Sequence, residues 1–116
     1  MKKTILLIEP NANVRKAVEI LLRKDFKVIS TSDIKEGFEL LIKNKELICA
    51  VICAYRKFEV KIVDFIKISK MLLPEVSFIV FSANSEAVKL KDMGADRVVE
   101  KPDAEELKKV VSLLTG

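Results

Sequence analysis

Three polar side chains close apolar runs in this sequence. Glu9 follows Ile5-Leu6-Leu7-Ile8, Ser82 follows Phe78-Ile79-Val80-Phe81, and Lys101 follows Arg97-Val98-Val99-Glu100. A carboxylate, a hydroxyl and an ammonium can hold the oxygens of an anion or one another. By themselves they make a poor catalyst. The chain has no histidine, which removes both the commonest general base and the commonest metal ligand. The turn Glu9-Pro10-Asn11-Ala12-Asn13 has no glycine, so its backbone cannot close on a pyrophosphate as a nucleotide fingerprint or P-loop does. Magnesium needs one or two carboxylates with water or phosphate, and Glu9 alone is a poor site. No metal or cofactor is expected. Cys53 stands among apolar neighbours without a base and reads as a small core hydrophobe. A redox role would require a lowered pKa.

These positions are meaningful only if the elements bring them together. The apolar spacing changes period along the chain. Runs at Thr4–Ile8, Phe26–Thr31, Ile48–Ala54, Val76–Ala83 and Arg97–Glu100 read as strands. Between them, apolar residues recur at helical spacing. Val14, Ala17, Val18, Leu21 and Leu22 mark the first helix, with Asn11 or Asn13 as its cap. Ile34, Phe38, Leu41 and Ile42 mark the second, capped by Ser32 or Asp33, and Val63, Phe65 and Ile66 the third, within Val60–Met71. Glu86–Met93 reads as a short fourth helix closed by Gly94. After Pro102, Asp103 opens the last helix, with Ala104, Leu107, Val110, Val111 and Leu114 on one stripe.

Five strands alternating with five helices predict right-handed crossovers and a parallel sheet covered on both faces. The first, third and fourth strands are continuously apolar, as doubly buried strands are. The second and fifth are more polar, as edges are. Order 2-1-3-4-5 follows, a flavodoxin-like α/β three-layer sandwich of (βα)5 type. Its crevice lies beyond the carboxyl ends of the strands, where Glu9 and Pro10, Ala54 and Tyr55, Ser82 and Ala83, and Lys101 and Pro102 converge.

Composition agrees with one domain. The chain has 116 residues, half of them hydrophobic and a third charged, enough to bury a core without staples. Its two cysteines, Cys49 and Cys53, are too far apart along a strand to bridge, so a reducing cytoplasm is expected. No apolar stretch approaches a membrane span, and Met1-Lys2-Lys3-Thr4-Ile5 reads as the start of a strand rather than a leader. The net charge is +4, with 17 acidic residues interspersed among 21 basic ones. Direct nucleic-acid binding is therefore not expected, except through an additional domain outside these residues.

Over essentially its whole length the chain resembles the receiver domain of two-component response regulators. The opening Ile5 to Arg15, the pair Ser82-Ala83, and Gly94-Ala95-Asp96 followed by Lys101-Pro102 carry the resemblance. In that family the Lys-Pro peptide is usually cis. The resemblance implies a phosphorylation pocket at Glu9, Pro10, Ala54, Ser82 and Lys101, but a degenerate one. Ala54 stands where receivers carry the aspartate that accepts phosphate, and Pro10 where they carry a metal-binding carboxylate. Val98 replaces the usual aromatic switch residue, and Phe58 and Ile62 replace a proline and a glycine after the third strand.

Aspartyl phosphorylation needs a carboxylate nucleophile, a cation, and a hydroxyl and ammonium to hold the oxygens. The pocket keeps only the last two. Asp64 lies about ten residues further on, near 15 Å by helical rise, and Glu59 has no such role in the family. Lys101 is expected to reach Glu9 or a backbone carbonyl, or else to extend into water. The expectation is a phosphorylation-independent interaction module rather than an enzyme. Its docking surface is the fourth helix, fifth strand and last helix, with Lys89, Lys91, Val98 and Lys109. Its partner is a kinase, an output domain or a second copy. Phosphorylation at an unconventional residue, or membership of a longer DNA-binding regulator, stays open.

Overall fold

The computed structural model describes residues 2–55 and 61–115. Strands β1 (Lys3–Ile8), β2 (Phe26–Thr31), β3 (Ile48–Ala54), β4 (Ser77–Ser82) and β5 (Arg97–Glu100) form one parallel sheet in the order β2-β1-β3-β4-β5. The two most polar strands take the edges, as their sequences require. Helices α1 (Ala12–Leu22), α2 (Ile34–Lys43), α3 (Lys61–Leu72) and α4 (Ala104–Thr115) connect or follow the strands.

Alternation along each strand sends side chains to two cores. On one face Ile5, Leu7, Ala50, Ile52, Ile79 and Val99 meet Val18 and Leu22 of α1 and Leu107 and Val111 of α4. On the other, Leu6, Ile8, Val51 and Phe78 meet Leu41 of α2 and Ile62, Phe65 and Ile66 of α3. Two edge-to-face ring pairs, Phe38–Phe65 and Phe65–Phe78, tie α2 and α3 to β4. Gly37 allows α2 to approach β1, since a Cβ there would meet Ile8 at 3.0 Å.

The caps follow from side-chain acceptors. Asn11 accepts the N–H groups of Asn13 and Val14, Asp33 that of Glu36, and Asp103 that of Glu106. Three expectations are corrected. The fourth helix is a 3-10 helix, Ser85–Lys91. Among its described side chains only Ala87 and Leu90 turn inward, and a pair three residues apart suits three residues per turn. Val63 is half-buried and Ile62 takes the buried position. Ala17 is exposed and Leu21 half-buried, which leaves Val18 and Leu22 as the buried residues of α1.

Candidate functional site

The register sets the row. Ile8 of β1 pairs with Cys53 of β3, and Ala54 pairs with Phe81 of β4. Glu9, one residue beyond Ile8, therefore falls level with Ala54 and Phe81. Ala54 and Phe81 continue the face of Ile52 and Ile79, toward α1 and α4. Lys101 reaches this row from beyond β5. Its backbone N–H donates to Ser82 O at 3.0 Å, and its ammonium lies 5.7 Å from the centre of the Phe81 ring. It ends 2.6 Å from Glu9 Oε1. Of the alternatives left open for Lys101, the structure shows the pairing with Glu9.

Glu9 is 1% exposed, so its charge must be met inside the protein. Oε2 accepts the N–H of Asn11 at 3.0 Å. The ammonium approaches Oε1 off the hydrogen-bonding direction and acts as a point charge. The Glu9 backbone is held as well. Its N–H donates to Thr31 O at 3.0 Å, and its carbonyl accepts Arg15 Nη1 at 2.7 Å. Arg15 was not among the expected site residues. Its signal was a cation six residues after Glu9, in the first turn of α1, where it can fold back over the strand end.

Ala54 is 3% exposed and presents only a methyl group to the row. Pro10 is half-buried in the turn before α1. Ser82 is buried, and its hydroxyl is already engaged. It donates to Tyr55 O at 2.8 Å and accepts the N–H of Asn84 at 3.0 Å. The structure thus brings Glu9, Ala54 and Lys101 together, while Ser82 braces the ends of β3 and β4. The Lys101-Pro102 peptide is cis. Asp64 is exposed on α3 and lines a groove with Lys35, Phe38, Lys67 and Ile68. Phe58 and Glu59 lie outside the described residues.

Cys53 is fully buried in the core beside Val51 and Val80. Cys49 is half-buried, and burial pushes its thiol up, with Lys3 opposing. A raised thiol is the wrong direction for a reactive nucleophile. Lys89, Lys91 and Lys109 are exposed, and Val98 is half-buried. Val98, Val88, Lys91 and Arg97 line a cavity of about 410 Å³ between the 3-10 helix and β5. Lys109 lies apart on α4, in a groove with Glu105 and Leu113.

This is the receiver fold. A response regulator receiver domain protein from Clostridium thermocellum superposes with TM-score 0.86 at 21% identity, covering 97% of this chain and 94% of that one. A response regulator from Thermotoga maritima superposes at 0.84 and 22% identity, over 99% and 98% of the two chains. A structure described as adenylate cyclase from Rhodopirellula baltica reaches 0.83 at 15% identity, covering 99% and 88%. No protein-family model matches the sequence, and no curated protein matches it. At these identities the likeness establishes the receiver fold, and function must be argued from the site. Among the described residues no helix is long and apolar enough to cross a membrane.

Proposed function

We propose that this chain works in two-component signal transduction in the cytoplasm, as a receiver-like module that binds protein partners without taking phosphate. One observation carries the reading. The position on β3 that faces the buried Glu9–Lys101 pair is Ala54. A methyl group cannot attack a phosphoryl donor, and the pocket offers no other nucleophile among the described residues of the row. The Ser82 hydroxyl is spent on Tyr55 and Asn84.

A divalent cation does not fit the row either. Pro10 offers no side-chain ligand, and Glu9 already accepts the Asn11 N–H on one oxygen and faces the Lys101 ammonium with the other. The Lys101 ammonium supplies the positive charge that Glu9 requires. The module is then held in one charge state, and its output is set by which partner docks. The surface assigned to docking is the 3-10 helix and β5, with Lys89, Lys91 and Val98, together with the separate α4 surface that carries Lys109. No catalysis is assigned to the chain.

Beryllofluoride with magnesium tests this reading, because it mimics an acyl phosphate by coordinating a carboxylate oxygen. Titrated into the labelled protein and followed by amide NMR, it should leave Glu9, Ala54, Ser82 and Lys101 unmoved. Saturable shifts clustered at those residues would overturn the reading.

A further inference from the structure

Charges interspersed along the sequence still gather locally in the fold. At the amino-terminal ends of β1 and β2, Lys2, Arg23 and Lys27 ring a groove of about 510 Å³ over Phe26, Val28 and Leu47. Among the described residues no carboxylate lines this groove. The cavity between the 3-10 helix and β5 has Glu100, and the one at the foot of β3 and β4 has Glu46 and Glu75. Lys3 and Lys24, both exposed, flank the same pole; Lys3 also donates to Thr115 O, and Asp25 beside them pairs with Lys108 at 3.5 Å.

Structural duties account for part of this charge. Lys2 Nζ donates to Arg23 O at 2.8 Å, at the carboxyl end of α1 where a cation is favoured. Arg23 lies 3.7 Å from Glu19 on the preceding turn. They do not account for Lys27, exposed on the outer strand β2, and Leu47, 58% exposed, lies within the same ring of like charge. Gathered like charges repel one another and attract an opposite one. An exposed aliphatic side chain among them offers a partner's apolar side chain area to bury.

We propose that this groove docks an acidic segment of a partner protein, with carboxylates on Lys2, Arg23 and Lys27 and one apolar side chain over Phe26, Val28 and Leu47. Charge complementarity sets the choice of occupant, and the apolar floor selects a peptide. A nucleic acid would use the cations through its phosphates and leave Leu47 without a role. The groove lies at the opposite end of the strands from Glu9, Ala54 and Lys101. Docking here is therefore independent of the pocket and of the function proposed for it.

The test uses the full chain and a labelled, end-blocked glutamate-rich peptide with a central leucine, read by fluorescence anisotropy. The comparison ligands are its lysine counterpart and a labelled DNA duplex. The acidic peptide should bind saturably and weaken roughly tenfold from low to high salt, as exposed charge contacts are screened. Lys27→Glu combined with Arg23→Glu should weaken it by a further tenfold or so, while Lys27→Arg keeps binding, because the charge and not the fold carries the contact. Leu47→Ser should weaken it about threefold with the salt slope unchanged, since only apolar contact is lost. Circular dichroism melts identify any variant that has lost its fold, in which case Lys2→Glu replaces it. The proposal is overturned if the acidic peptide does not bind, if binding ignores the charge reversals, or if DNA binds more tightly and ignores Leu47→Ser.

Discussion

Two lysine–carboxylate contacts of equal length, 2.6 Å, sit at opposite ends of this sheet. At the amino end, Lys70 of α3 meets Asp96 just before β5. That lysine also donates to Val76 O at 2.6 Å, and the Asp96 carboxylate also accepts the Phe78 N–H at 2.7 Å. Both side chains keep about a third of their surface in water. The pair is a clamp that fastens α3, β4 and β5. At the carboxyl end, Lys101 meets a glutamate whose side chain is 2% exposed, across a row that contains Ala54. Distance alone does not separate them. Burial of the carboxylate and its neighbours do: one pair is a partly hydrated joint, and in the other a half-buried lysine balances the charge of a buried glutamate.

Removing one partner from each pair should separate the two roles. Lys101→Met leaves the Glu9 charge buried and uncompensated, and should cost about 3 kcal/mol, the scale for stranding one member of a buried pair. Urea denaturation at neutral pH measures it. A loss no larger than that of an exposed pair would mean that Glu9 is hydrated. Asp96→Ala removes the acceptor of the Phe78 N–H as well as the partner of Lys70, and should cost about 2 kcal/mol by the same measurement. Its amide exchange should rise first at Phe78 and the start of β5.

The clamp also depends on Gly94, two residues earlier, which turns the chain with φ +110° and whose added Cβ would meet Ile66 at 3.1 Å. Gly94→Ala should cost about 1 kcal/mol, mostly from the backbone conformation. The smallest effect belongs to Cys49, where burial raises the thiol pKa. The unfolded chain then loses its thiol proton first as pH rises. Stability contributed by the neutral thiol is present at neutral pH and declines through the ordinary thiol range. Cys49→Ser should flatten that decline in urea midpoints measured across alkaline pH.

Much of this architecture is legible in the residues. β2, β3 and β5 begin and end where the strands expected from spacing do, because a change of period marks the boundary. The sheet order follows from which strands tolerate polar side chains. The Glu9–Lys101 pair is legible because a carboxylate in a crevice without histidine or a second acid has few cations to choose from. Other features depend on backbone positions that spacing does not encode. The 3-10 turn suits Ala87 and Leu90, three residues apart, which are the buried ones among the described side chains of Ser85–Lys91. The Ser82 hydroxyl is taken by Tyr55 O because β3 and β4 end level with each other. Arg15 folds back on Glu9 O through the turn at Pro10, a path no periodicity reports.

The account stands on the chemistry missing from the Glu9–Ala54–Lys101 row, and one measurement addresses it directly. The wild-type chain is incubated with acetyl phosphate and magnesium, and its intact mass is recorded without an acid quench. The mass should stay that of the unmodified chain throughout. A stoichiometric phosphate adduct, abolished by substitution of Glu9 or Glu59, would contradict it.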